Sequence, residues 1–572
     1  MAAPAIRSRL DSPSVPGLST LAGPGISAGT APCGVMGRTP HFASSTISSP
    51  PCMHSPMARG NIGASAVRPT LALTETRRKS TGECSHLRRS LAVMRKLNRF
   101  ISYRPRRWPR SRRSSMSRIV QWSITVALAG FLFGFDTAVI SGADKPIQAL
   151  WGLSDLQHGL LVMSMALWGT VIGAIWGNYP TDRLGRRATL LLIGGLYLVS
   201  AVGSALASDP YWFSFFRLIG GIGVGVSSVA APTYISEIAP SERRGLLVGL
   251  YQFNVVFGIL MAFVSNYVIG ALIDGQAWRW MLGVEAVPAL IYTLMVFRIP
   301  RSPRWLILHR NDTQGAAAVL RQLDPRADVD AQVAAIRAAD DSDEQQARPA
   351  FFSGRYRLPI LLAFLIAFFN QLSGINFIIY YAPRVLEAAQ LGSSAALLST
   401  VGIGVINLLF TMLGMALIDR LGRRTLLYIG SVGYIASLVL ISRAFFSGDL
   451  GGLDVPLLLC LFIAAHAISQ GAIIWVFIAE IFPNQVRARG QSFGSSVHWI
   501  CAACIALLMP TVLGHFNGGP VFAFFAVMMV LQVLFVMFLM PETKGVSLEE
   551  LQRRLVHGGS DPAAQRRQPA RA

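Results

Sequence analysis

The 572-residue chain is 52% hydrophobic and only 14% charged, whereas a soluble globular protein carries about 25% charged residues. A charge deficit over so long a chain excludes an ordinary soluble enzyme. The net charge of +22 would suggest a nucleic-acid partner, but +17 of it belongs to residues 1–118, which hold 20 basic and 3 acidic residues. The remaining residues carry +5 and need a separate interpretation.

Residues 1–118 form a leader rich in Ser, Pro, Gly and Arg, with no sustained helical or strand period. It cannot bury enough apolar surface to fold alone. Three interpretations stay open: a disordered cytosolic tail, an organelle transit peptide, and a non-native upstream start with Met116 as the natural beginning. We favour the last. The Arg cluster at 104–113 is interpreted as a positive anchor beside a membrane span rather than a nucleic-acid site.

Apolar runs long enough to cross the ~30 Å hydrocarbon core as helices recur from residue 119. They predict twelve spans, near 119–142, 157–179, 188–207, 211–235, 246–270, 278–298, 358–383, 396–418, 425–445, 454–480, 490–515 and 518–540. The predicted fold is an all-α membrane protein with two six-helix halves and a short cytosolic helical linker. The predicted domains are the leader 1–118, an N-terminal half 119–298, a linker 299–357, a C-terminal half 358–545 and a cytosolic tail 546–572.

The basic loops all lie on one side of this predicted topology. Because Lys and Arg are retained on the cytoplasmic side of a membrane, both termini and the linker are predicted to face the cytoplasm. The expected location is the plasma membrane, as the inner membrane of a bacterium.

An internal repeat supports two parallel halves. DRLGRR occurs at 182–187 and at 419–424, and SEIAPSERRG at 236–245 has a counterpart in AEIFPNQVRARG at 479–490. The charged residues of both copies are predicted to pair as an inner gate, although solvated anchor charges are the simpler alternative. They are Asp182, Arg183, Arg186, Arg187, Glu237 and Arg243 in the first copy, and Asp419, Arg420, Arg423, Arg424, Glu480 and Arg489 in the second.

Residues 119–550 resemble a sugar porter of the major facilitator superfamily, and the likeness is greatest to bacterial proton-coupled sugar symporters. The strings that carry it are GFLFGFDTAVISGA (130–143), both DRLGRR copies, RLIGGIGVGVSS (217–228), PRSPRWL (300–306), NQLSGINFIIYYAP (370–383), IWVFIAEIFP (474–483) and PETKG (541–545). The resemblance implies alternating access to a monosaccharide held midway through the bilayer.

Three ionisable residues stand inside predicted spans: Asp136, Arg217 and Glu285. A charge near the bilayer centre is costly, about 2.5–3.5 kcal/mol on insertion scales, so it needs a partner or a proton. We predict a proton switch in which charged Asp136 pairs with Arg217 and protonated Asp136 releases it. A static buried ion network is the alternative. In the resembling family, an acid at the position of Asp136 accompanies proton symport.

A sugar calls for neutral amides, which donate and accept hydrogen bonds, and for an aromatic plate. The predicted binding residues are Gln252, Asn370, Gln371, Asn376, Asn407, Trp475, His498 and Trp499. The resemblance assigns Gln252, Gln371, Asn376, Asn407 and Trp475 to sugar-contacting positions, and Tyr380 and Tyr381 to the outer gate. An unwound segment at Gly374 is expected to turn Gln371 and Asn376 toward one cavity. Interhelical hydrogen bonds are the alternative for each amide.

Departures from the family pattern bear on these predictions. Arg301 stands where the family has an acid, which weakens any ion pair at that loop, and His498 stands where an amide is usual. The predicted function is proton-coupled monosaccharide import by a chain that is not an enzyme. An uncoupled facilitator, a polyol or inositol carrier and a non-transporting sugar sensor are the alternatives. We predict no cofactor, no metal and no nucleic-acid partner, only a sugar, a proton and the lipid bilayer, and a functional monomer.

Overall fold

The computed structural model describes residues 110–546 apart from 241–242, 325–327, 346–349, 449, 451–453 and 484, together with 550, 551 and 555. The predictions for the leader before residue 110 and for most of the tail lie outside the described residues.

Within the described part, eleven helices are long and apolar enough to cross a membrane, and a helix pair bent by 41° brings the count to twelve. Numbered in chain order, spans 1 to 12 are Ser117–Trp151, Asp155–Met163 with Met165–Trp176, Arg186–Leu206, Pro210–Ile238, Arg244–Leu272, Ala277–Val296, Gly354–Ala388, Ser393–Leu421, Arg423–Ser447, Asp454–Ile481, Arg487–His515 and Gly518–Phe538. The helix of span 1 begins at Arg110. The predicted twelve-span all-α membrane fold is confirmed.

Span 1 is longer than its apolar run predicts. The sequence placed its end near residue 142, because Asp144 and Lys145 follow, but the helix continues to Trp151 with Pro146 inside it. Asp144 is buried against Arg384 of span 7. A paired carboxylate does not have to leave the protein interior, so this charge does not end the helix.

Several spans are interrupted where polar residues stand. Span 7 consists of Arg357–Gln371 and Ile375–Ala388, span 6 breaks between Gly283 and Ala286, and span 10 breaks at Ser469. At membrane depth such breaks are tolerated only where the freed backbone is surrounded by protein or lines a cavity. The interruptions therefore mark the interior positions at which a site can be built.

Close helix packing explains the glycines of span 4. A Cβ at Gly221 would come within 1.9 Å of the carbonyl oxygen of Ala166 in span 2, and one at Gly225 within 2.4 Å of that of Thr170. Only glycine permits the two backbones to approach so closely. This contact fixes span 4, and with it Arg217 one turn away.

The linker contains three helices, Pro303–Arg310, Thr313–Leu323 and Val329–Gln345. Trp305, Leu306 and Ile307 form a small apolar cluster with Ala316 of the second helix. The Trp305 indole donates to the carbonyl oxygen of Asp182 at 2.7 Å. The linker therefore lies against the end of the N-terminal half at which span 6 finishes. This end and the corresponding end of the C-terminal half, where span 12 finishes, are together called the linker end.

Candidate transport site

Asp136 and Arg217 form an ion pair inside the membrane body. The Arg217 guanidinium contacts the Asp136 carboxylate, and the two side chains are 2% and 3% exposed. Arg217 also donates to the Asp136 carbonyl oxygen at 3.2 Å. This second bond, to the backbone, adds to the attachment of the guanidinium to span 1.

Glu285 lies in the break of span 6, where it is buried and interacts electrostatically with Asp136 and Arg217. Its Oε1 atom has no hydrogen-bond partner among the described residues. Two carboxyl groups thus share one guanidinium in a water-poor interior. Since a lone buried charge is costly, one carboxyl group is balanced by Arg217 and the other calls for a proton.

The amides of span 7 meet at its break. Gln371 Nε2 lies 2.9 Å from a ring nitrogen of His498 and 3.3 Å from Asn370 Oδ1. Asn376 Nδ2 donates to Gln371 Oε1 at 2.9 Å. Residues 371 and 376 can meet because the helix stops at Gln371 and restarts at Ile375, after Gly374, whose φ is +87°. Gln371 is therefore the hub of a buried polar cluster in the C-terminal half.

Gly374 has two reasons to be glycine. Its φ lies in the left-handed region, which side chains with a Cβ rarely adopt. A Cβ there would also lie 2.8 Å from the ring of Phe525.

An aromatic wall flanks the amide cluster. The His498 ring lies 5.0 Å from the Trp475 ring and 4.7 Å from that of Trp499, centroid to centroid. Trp499 is 6% exposed, so it is no lipid-interface anchor. Its ring meets Phe133 of span 1 at 5.6 Å, across the two halves and one turn from Asp136.

Gln252 and Asn407 stand apart from this cluster. Gln252 is half-buried on span 5. Asn407 accepts a hydrogen bond from Thr411 of its own helix at 3.3 Å. In the described part of the chain, no hydrogen bond joins either amide to Gln371.

The two tyrosines predicted for the outer gate are buried where the halves meet. Tyr381 donates to the carbonyl oxygen of Ala506 in span 11 at 2.7 Å. Tyr380 lies beside Thr137 and in electrostatic range of Asp136 and Arg217. Tyr380 also follows Asn376 by one helical turn, so one stretch of span 7 faces both the ion pair and the amide cluster.

The repeated charges at the linker end form one ion cluster in each half. Arg186 binds Glu237 at 3.0 Å and Asp182 at 3.1 Å. Their counterparts repeat this, with Arg423 2.7 Å from Glu480 and 3.2 Å from Asp419. Each pair joins helices of the same half, so the pairs hold helix ends together without bridging the halves.

The other predicted gate arginines make different contacts. Arg187 donates to the Phe297 carbonyl oxygen and Arg424 to that of Met537, each at the end of the last span of its half. Arg183 lies over the Tyr179 ring. The remaining three, Arg243, Arg420 and Arg489, have exposed side chains.

Sequence reasoning missed a third repeat at this end. Ser302 donates to the free oxygen of Glu237 at 2.5 Å, and Thr543 does the same for Glu480 at 2.6 Å. Each hydroxyl stands two residues after a proline, Pro300 or Pro541. The matching Pro-x-Ser/Thr spacing is the signal that could have revealed it.

The two halves differ at the position between that proline and hydroxyl. Burial raises the pKa of Glu542, but hydrogen bonds from the backbone N–H groups of Lys544, Arg423, Arg424 and Thr543 outweigh this and lower the pKa below that of an ordinary glutamate. Glu542 thus caps the N-terminus of span 9. Arg301 occupies the equivalent position and offers no acceptor to the N-terminus of span 3.

We therefore expect Arg301→Glu to raise the stability of the N-terminal half, by about 1 kcal/mol, the usual worth of a helix cap. The measurement is the thermal unfolding midpoint of the purified protein in detergent. Arg304→Glu, on the adjacent linker helix, is the matched charge change. Equal shifts from both variants would show that only net charge matters.

Sequence reasoning also missed a charged cluster at the end opposite the linker. There Asp144 and His158 of the N-terminal half meet Arg384 of span 7, and Lys145 contacts Glu387.

Comparison with known proteins adds the family. The family profile described as "Sugar (and other) transporter" matches residues 122–555. This chain belongs to the sugar transporter family. It is a membrane transporter, not an enzyme.

Two relatives illustrate this membership. An arabinose-proton symporter of Bacillus subtilis is 34% identical over 78% of this chain and 97% of its own length. A D-xylose-proton symporter of Escherichia coli is 32% identical over 76% of this chain and 95% of its own. The solved inward-open structure of the E. coli xylose transporter aligns with a TM-score of 0.68 at 32% identity, covering 76% of this chain and 99% of that one.

Proposed function

We propose that this protein imports a monosaccharide together with a proton by alternating access. The observation that carries the proposal is the buried cluster of Asp136, Glu285 and Arg217 in a sugar transporter fold. Two carboxyl groups beside one guanidinium form a site that is neutral only with one added proton. The relatives named as sugar-proton symporters support the coupling. These relatives favour coupled sugar transport over an uncoupled facilitator, a polyol carrier or a sensor.

We further propose that Gln371, Asn370, Asn376 and His498 hold the sugar hydroxyls and that Trp475 stacks on the sugar ring. Neutral amides suit hydroxyl groups because they donate and accept at once. Gln252 of span 5 and Asn407 of span 8 are proposed to contact the same sugar once it is bound, because, within the residues that the structure describes, neither of them is hydrogen-bonded to the Gln371 cluster.

The mechanism follows from the position of span 7. A charged Asp136 pairs with Arg217, and protonation releases that pair. Tyr380 senses the change because it lies beside Thr137, the residue after Asp136. One turn away on the same helix, Asn376 belongs to the amide cluster. A proton at Asp136 therefore alters the helix segment that holds the sugar.

The linker end is proposed to face the cytoplasm of a bacterial inner membrane, because the basic loops gather there. The ion clusters of Glu237 and Glu480 then form the inner gate, and Tyr380 and Tyr381 belong to the outer one. A single chain contains all of these groups, so we propose a functional monomer.

The test is uptake into proteoliposomes of a panel of monosaccharides and polyols under an imposed pH gradient. We expect at least one monosaccharide to accumulate when the outside is acidic, and an uncoupler to abolish the accumulation. Uptake that only equilibrates, with or without the gradient, would favour the facilitator. Absence of uptake with every sugar would contradict the proposal.

A further inference from the structure

A second buried ionisable cluster lies at the end opposite the linker. The Asp144 carboxylate, 3% exposed, accepts from Arg384 Nε at 2.7 Å and Nη2 at 2.8 Å. Asp144 belongs to span 1 and Arg384 to span 7, so this bidentate pair joins the two halves. Such pairs are strong and geometrically specific. Parting of the halves at this end must break it.

His158 of span 2 completes the cluster from within the N-terminal half. Its Nε2 atom lies 2.6 Å from Asp144 Oδ1, and its side chain is 0% exposed. Because a carboxylate only accepts, Nε2 carries the hydrogen and Nδ1 carries a lone pair in the neutral ring. The buried Nδ1 has no hydrogen-bond partner among the described residues. It is a vacant acceptor for one proton.

The other charged groups near this cluster are paired with one another or are exposed. Lys145 contacts Glu387. Gln148 links Arg384 at 2.6 Å to Asp155, one turn before His158, at 2.8 Å. On span 11, packed against this part of span 2, His515 is exposed and bonds to the Thr511 carbonyl oxygen. On span 4, Arg217 is engaged by Asp136.

With Arg384 in place, its charge neutralises Asp144, and a charged His158 would add an uncompensated buried cation. When the halves part, His158 is the one remaining partner of Asp144 among the described residues of this cluster. A proton on Nδ1 then supplies the missing positive charge, since a buried unpaired carboxylate is costly. The proton and Arg384 are alternative counter-charges for the same carboxylate.

We propose that His158 is a second proton-binding site, at which a proton from the outside replaces Arg384 as the partner of Asp144 when the outer gate opens. The proposal rests on the proposed function in one respect, that the end opposite the linker faces the outside of the cell. Acidic conditions then favour the open outer gate. One linked proton changes the ratio of open to closed molecules by up to about tenfold per pH unit.

The test measures the gate itself rather than transport. Spin labels on cysteines replacing the exposed residues Ala149 and Ser394, one on each half, report the outer-end separation by pulsed electron paramagnetic resonance. The six native cysteines are removed and the protein is held in lipid nanodiscs. We expect the long-distance population to grow several-fold per unit as pH falls, and His158→Gln to reduce this dependence to the part that Asp136 contributes. An undiminished pH response in His158→Gln would overturn the proposal.

Two matched variants separate this site from its neighbours. Lys145→Gln removes the half-exposed cross-half contact and should keep the pH dependence. Glu387→Gln, which removes the acidic partner of the same contact, should also keep it. If either variant loses the pH dependence of the outer-end separation while His158→Gln retains it, the proton that opens the outer gate does not bind at His158. Proton-driven uptake, assayed separately, shows whether the proposed function itself has failed.

Discussion

Replacing Asp136 by Asn is expected to abolish accumulation of the sugar against its gradient while leaving sugar exchange across the membrane. Asn can neither take up nor release a proton, so the step that links the pH gradient to the conformational change is lost. A gradient of one pH unit sustains about tenfold accumulation per coupled proton, and this ratio should vanish in the variant. Exchange persists because the amide cluster around Gln371 is intact. The measurement is accumulation and counterflow in the same proteoliposome preparation.

Asp209→Asn is the matched control. Asp209 accepts from the backbone N–H groups of Tyr211 and Trp212 and thus caps span 4, and Asn caps a helix equally well. This variant should accumulate sugar as the parent does. Full accumulation by Asp136→Asn would refute the coupling role. Loss of exchange as well, in a variant with an unchanged unfolding midpoint, would assign Asp136 to packing.

Replacing Gln371 by Met is expected to weaken sugar binding by about tenfold to hundredfold. Met has a similar volume but no hydrogen-bonding amide, so Asn376 and His498 lose their partner and the sugar loses a donor and an acceptor. Leaving buried polar groups unpaired costs about 1–3 kcal/mol, which corresponds to that range in affinity. The measurement is binding of the transported sugar by isothermal titration calorimetry in detergent.

Gln532→Met supplies the same chemical change elsewhere in the C-terminal half. Gln532 is buried and contacts Gln470 and Tyr434 rather than the span 7 amides. This variant should lower the unfolding midpoint without changing sugar affinity. If both variants weaken binding equally, the effect of Gln371 is on stability alone. If Gln371→Met binds as tightly as the parent, Gln371 does not contact the sugar.

The sequence by itself determined the membrane class, the span number and the three ionisable residues inside the spans. These follow from local rules: apolar runs must form helices in lipid, and a charge inside such a run requires a partner. The two DRLGRR copies showed the duplicated halves, and Gly374 indicated the break of span 7. The family profile and its relatives agree with this reading.

Only the tertiary structure decided which charges meet. Asp144 and Arg384 are 240 residues apart and His158 is 14 from Asp144, so no spacing rule connects all three. The hydropathy pattern even predicted the end of span 1 before Asp144, because a charged residue inside a membrane span is unfavourable unless it has a partner, and the sequence does not show the partner. The same holds for His498, which lies 127 residues from Gln371. Composition and periodicity show which segments form membrane helices. A binding site depends on which of these helices lie next to one another, and that is decided by packing between segments distant in the sequence.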